Sequence, residues 1–238
     1  RPAPVRGPTP ASLSSSTTAV IVERDGVVTE MQREAMGTHK FYDAMRHKCV
    51  ALIRITYSTG GEKICQAFAV GNYLLTVWHV FCKGCSDDVG TTLPPDPTSG
   101  VAHITYTVGS KSNTVQVSTA AFTKFGDYDL AFLPKDKLPG MVSLSVGAPL
   151  SETQAVALYR DPTAKELASF GKVLNFDEKL VYYDCASNSG WCGSALLDQQ
   201  NKVIGLHFAG TQVGDRPQNI ALRITPELLA AISGNSVF

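Results

Sequence analysis

The 238-residue sequence has no excess of either charge: 21 Lys and Arg balance 21 Asp and Glu. A neutral chain has no general electrostatic grip on nucleic acid or on an anionic membrane, so its partners must be sought in local sites. It lacks any apolar run near the roughly 18 residues that cross a bilayer, and its first residues lack the charged-then-apolar layout of a secretory signal. A soluble protein with no membrane span is expected. Cysteine is scarce for the length. Cys49, Cys65, Cys82, Cys85, Cys185 and Cys192 are too few for a disulfide-dense scaffold, and three of them lie in apolar strand-like runs where a thiol behaves as a small hydrophobe. A reducing compartment is the simpler expectation. Helix signals are sparse as well, and no internal repeat is visible.

What the chain does contain is strand. "RPAPVRGPTPASLSSSTT" offers little that could anchor a core, so residues 1–18 read as a flexible tail. Residues 19–48 read as a helical lead-in, with Thr29 and Thr38 as caps for "TEMQREAM" and "THKFYDAMRH". From Cys49 the pattern becomes short β-branched and aromatic runs separated by Gly, Pro and Asn, in two series: residues 49–140 and 150–238. A Pro- and Gly-rich stretch, "PKDKLPGMVSLSVGAPLS", divides them. One helix signal closes the chain, "TPELLAAI", with Thr225 as cap and Pro226 at the first helical position. The expected fold is all-β, two barrels in succession with a C-terminal helix.

Three strand-end residues carry chemistry. "SGWCGS" brackets Cys192 with Gly190 and Gly193, whose backbone freedom lets the N–H groups of Gly190, Trp191 and Cys192 converge on one point. Taken alone, the stretch is equally a glycine-rich turn around a structural thiol. His79 ends the apolar run "LLTVWHVF", and Asp129 opens the strand "LAFL" in "FGDYDLAFL". Each alone is ordinary: a satisfied core imidazole, a solvated acid. Together the order His79, Asp129, Cys192 is that of a chymotrypsin-type triad. Asp127, two residues away, and Asp87 and Asp88 in the loop after His79 stay open as alternatives to Asp129.

"GWCGSALLD" resembles the "GDSGGPLV" of chymotrypsin-like serine proteases with cysteine in place of serine. With "GLHFAG" it resembles the 3C-like cysteine proteases of picornavirus-like positive-strand RNA viruses. The resemblance implies that Cys192 attacks a peptide carbonyl, His79 carries the proton and Asp129 orients His79. It also implies that Ser187, five residues before the cysteine, and His207, fifteen after it, line the pocket for the residue preceding the cut, with Tyr183 orienting His207. Glutamine suits a neutral imidazole, whose N–H donates to the amide oxygen; glutamate stays a second choice. The implied function is processing of a viral polyprotein in the host cell cytoplasm, without metal or cofactor.

Two other readings compete. A protease-like β-barrel binding module would use its surface to recruit RNA or a replication partner, although no basic motif supports RNA. "HVFCKGC" puts His79, Cys82 and Cys85 at metal-ligand spacing, with Cys65 as a fourth ligand, but zinc on His79 would remove the base that Cys192 needs.

Overall fold

Branched and polar residues alternate in "VALIRITY", and the strand it forms buries Ala51, Ile53, Ile55 and Tyr57 while Arg54 and Thr56 face water. The computed structural model describes residues 21–22, 48–85, 93–147, 150–159, 168–187, 190–213 and 216–235. Within them the strands run β1 (Ile21–Val22), β2 (Val50–Tyr57), β3 (Glu62–Val70), β4 (Tyr73–Thr76), β5 (Gly100–Val108), β6 (Lys111–Ser118), β7 (Thr123–Lys124) and β8 (Ala131–Pro134). There follow β9 (Ala155–Tyr159), β10 (Ala168–Phe176), β11 (Leu180–Tyr183), β12 (Ala195–Leu197), β13 (Val203–Val213) and β14 (Arg216–Arg223). The one α-helix among the described residues is α1 (Pro226–Asn235).

The first sheet has the order β6-β5-β2-β3-β4-β8-β7, and all its pairings are antiparallel. The second has the order β1-β10-β11-β14-β13-β12-β9 and closes on itself, because β10 pairs with β9 along Ala168–Lys172 and with β11 from Val173 onward. Closure removes the exposed strand edges that would otherwise template aggregation. The stretch between the sheets ties them together: Leu144 bridges to Val70 of β3, and Val146 to Val203 of β13.

Trp78, Tyr106, Phe68 and Phe81 are fully buried in an apolar cluster that continues into β9, β10, β12 and α1. Burying each such side chain is worth about 1.5–3 kcal/mol. A smaller cluster of Val156, Val173, Tyr183, Trp191 and their neighbours fills the second sheet. Helix α1 starts as its sequence dictates: the Thr225 hydroxyl accepts the Leu228 N–H at 3.2 Å, Pro226 takes the position that needs no N–H, and Ile232 reaches the core.

The all-β architecture, the two barrel-like sheets and the C-terminal helix are therefore as the sequence leads one to expect. Within the 19–48 lead-in, Ile21–Val22 is extended and pairs in parallel with Ala168 and Ser169. The tail 1–18 and the helices expected after Thr29 and Thr38 lie outside the described residues.

Candidate active site

Strands β4 and β8 pair with Thr76 opposite Ala131, so the chain leaving β4 and the chain entering β8 emerge at the same end of neighbouring strands. That register brings His79 to Asp129. His79 Nδ1 lies 2.6 Å from Asp129 Oδ2, and the His79 backbone N–H donates to Asp129 Oδ1 at 2.8 Å. One carboxylate thus fixes both the ring and the backbone of His79. Asp127 is exposed in the preceding turn, while Asp87 and Asp88 lie outside the described residues.

The His79 turn is held from below. Lys63 Nζ donates to the carbonyls of His79 and Cys82 at 3.3 Å and of Cys85 at 3.1 Å, and the Tyr57 hydroxyl donates to the Val80 carbonyl. Burial first, and Cys85 beside it second, push the Cys82 thiol up to about 12. Burial likewise pushes Cys65 up to about 12, where it lies 3.5 Å from Thr76 Oγ1. Among the described residues, no three metal-ligating side chains converge.

Cys192 reaches the same region from the second sheet. Gly190 and Gly193 take φ of +86° and +87°, a left-handed conformation that other residues resist. The turn is docked against the first sheet: Gln66 N–H donates to the Cys192 carbonyl at 2.8 Å, and Gln66 Nε2 donates to the Gly190 carbonyl at 3.3 Å. A side chain at Gly193 would stand 1.9 Å from the Gln66 carbonyl oxygen and 2.8 Å from Thr76 Oγ1. Thr76 lies only three residues before His79, so the cysteine turn packs at the foot of the His79 turn. Within the turn, Gly193 N–H donates to the His207 carbonyl at 2.8 Å and Ser194 N–H to the Trp191 carbonyl at 3.0 Å. Trp191 is fully buried and anchors the turn in the second core, whereas Cys192 is half-buried.

Tyr183 and His207 pair in the same region, Tyr183 near Cys192 and His207 near His79. Tyr183 Oη lies 2.7 Å from His207 Nδ1, with the rings edge to face. Burial first, and the nearby His79 second, push His207 down to about 3, against a hydrogen bond from the ring to the Ile220 backbone that favours the charged form. Burial, then Cys185 and Cys192, push the Tyr183 phenol well up, so it keeps its proton. A protonated phenol donating to Nδ1 leaves the proton of a neutral imidazole on Nε2.

Ser187 Oγ donates to Asn219 Oδ1 at 2.7 Å, and Asn219 Nδ2 donates to the Cys185 carbonyl. Asn219 and Gln66 were not singled out by sequence reasoning. Both carry a polar side chain inside a strand that buries its neighbours, and that is the signal that would have found them.

Among solved structures, the tobacco etch virus protease complexed with product superposes with a TM-score of 0.58 at 14% identity, over 81% of this chain and 80% of that one. Deg5 gives 0.58 at 16% identity over 85% and 93%, and the serine protease of a human pathogenic astrovirus 0.50 at 15% over 76% and 92%. These likenesses show the chymotrypsin-like fold. No curated protein matches the sequence. Residues 65–206, more than half of the chain and inclusive of His79, Asp129 and Cys192, match the trypsin-like peptidase domain, and the chain belongs to that family.

Proposed function

We propose that this peptidase is a cysteine endopeptidase that cuts a viral polyprotein after glutamine in the host cell cytoplasm. The observation that carries the reading is the docking of the half-buried Cys192 turn, through Gln66, against the sheet that holds the His79–Asp129 pair. Cysteine is favoured over serine as nucleophile because the half-buried residue between Gly190 and Gly193 is Cys192, its thiol on the Phe208 carbonyl, whereas the neighbouring Ser194 is buried. No disulfide joins the six cysteines, all of them described residues, which suits a reducing cytoplasm.

In this reading the Cys192 thiol gives its proton to His79, and the sulfur bonds to the carbonyl carbon before the cut. The oxygen takes up the displaced electron pair and is held by the N–H groups of Gly190 and Cys192, with the Trp191 peptide between them. As the carbon–nitrogen bond breaks, His79 returns the proton to the leaving amine; water then hydrolyses the thioester. Asp129 holds the imidazole in the required tautomer throughout. A neutral His207 presents Nε2–H to the glutamine amide oxygen and gives glutamate no countercharge.

The test is hydrolysis of peptides that differ only in Gln, Glu, Ala or Phe before the cut, by wild type and Cys192→Ala. Cleavage after Gln by wild type, lost in the variant, is expected; equal hydrolysis by both overturns the proposal.

A further inference from the structure

We infer that Asn219 makes the pocket read an amide rather than a carboxylate, by fixing the direction of the Ser187 hydroxyl proton. The inference rests on the glutamine reading above and deepens it.

Asn219 is buried on β14, between Tyr183 of β11 and Gly210 of β13 in the register of the sheet. Its amide has one sense only. Nδ2 donates to the Cys185 carbonyl, so Oδ1 must face the other way, toward Ser187. Reversing the amide would set Oδ1 against the Cys185 carbonyl and turn Nδ2 on Ser187, leaving two oxygens opposed in a buried site. The Ser187 hydroxyl has a single proton, and it is committed to Asn219 Oδ1 at 2.7 Å. Only lone pairs of Ser187 Oγ remain for a substrate.

A hydroxyl that is free to rotate serves amide and carboxylate alike. One whose proton is taken accepts but does not donate. With the Nε2–H that the glutamine reading assigns to His207, Ser187 would make the pocket one donor and one acceptor, the complement of a glutamine amide, which has one oxygen and one N–H₂. Glutamate satisfies the donor but sets its second oxygen against the lone pairs of Ser187. Asn219 is thus a positioning residue, acting through Ser187.

The experiment measures kcat/KM for paired peptides with Gln or Glu before the cut, near pH 7.5, in wild type, Asn219→Ala, Asn219→Asp and Ser187→Ala. Asn219→Ala frees the hydroxyl to donate to glutamate, and the Gln:Glu ratio should fall about tenfold. Asn219→Asp, its buried carboxyl protonated toward the Cys185 carbonyl, still accepts the Ser187 proton on the other oxygen, so the ratio should be retained. A purely structural role would lower the ratio in both variants alike. Ser187→Ala, which keeps the core intact if Asn219 variants misfold, should lose about tenfold on Gln and little on Glu. A wild type that prefers Gln, with the ratio unmoved in folded Asn219→Ala or in Ser187→Ala, overturns this inference and leaves the glutamine reading standing. A wild type with no preference for Gln overturns that reading itself, and this inference with it.

Discussion

The buried polar side chains of the first sheet lie at strand ends, as Thr76, His79 and Thr119 do, or face the second sheet, as Gln66 does. In the second sheet Ser169, His207 and Asn219 stand within strands, and Ser194 and Asp198 flank β12. The first sheet is thus an apolar mount that carries the hydrogen-bonded His79–Asp129 pair on its rim. The second admits polar groups into its wall and keeps His207 and Tyr183 uncharged there. Buried polar groups of this kind cost stability unless each is hydrogen-bonded, and in the proposed reading substrate recognition offsets that cost. Damage to the first sheet's site should therefore reduce turnover whatever the substrate, whereas damage to the second's should alter selectivity and acid stability.

The largest effect expected is at the first sheet. His79→Ala removes the proposed proton carrier, and kcat/KM on a Gln peptide should drop by about 10⁴ or more. Asp129→Ala should cost about 10- to 100-fold, because a thiol needs less help to ionise than a hydroxyl. Steady-state kinetics on both variants checks the difference. Equal losses would mean that the carboxylate is as indispensable as the base it orients.

Acid stability should separate the sheets next. His207 is pushed from its ordinary 6.5 to about 3 in the folded chain, so between those values the unfolded chain binds the extra proton. Its contribution to stability is present in full above about pH 6.5 and is lost as pH falls toward 3, with a slope of at most about 1.4 kcal/mol per pH unit. Urea unfolding at pH 7.5, 5.5 and 4.5 should show that component in wild type and not in His207→Leu. Identical pH slopes in the two proteins would mean that His207 is not held neutral.

Much of this was legible in the sequence because the relevant signals are local. Strands announce themselves by alternation, the Cys192 turn by its two glycines, and α1 by the Thr225–Pro226 start. His79, Asp129, Cys192, Ser187, Tyr183 and His207 all sit in short motifs, and the structure brings His79 to Asp129 and Tyr183 to His207. The choice between Asp129 and Asp127 was not legible: two residues apart on an extended chain point the same way, and only the β4–β8 register separates them. Asn219 and Gln66 escaped for a different reason. Ser187 lies 32 residues from Asn219, and Gly190 lies 124 from Gln66, so neither contact leaves a trace in local pattern. An amide within a strand is a weak signal, since strand propensity depends on what the strand packs against.

Gln66 supplies the smallest and most discriminating test, because it is the first sheet's direct hold on the second sheet's turn. Gln66→Met keeps the side-chain length and the backbone bond from residue 66 to the Cys192 carbonyl, and deletes the donor to the Gly190 carbonyl. The Gly190 peptide then has one restraint fewer. If that peptide helps to hold the developing oxyanion, kcat should fall about three- to tenfold with KM nearly constant, since the loss is felt only when charge develops on the oxygen. Alkylation of Cys192 by iodoacetamide builds no such charge and should proceed at the wild-type rate. A variant that alkylates more slowly in proportion to its loss of kcat would place the defect at the thiol and not at the turn. A rise in KM at constant kcat would move it to substrate binding, and either result would break the division of labour between the sheets.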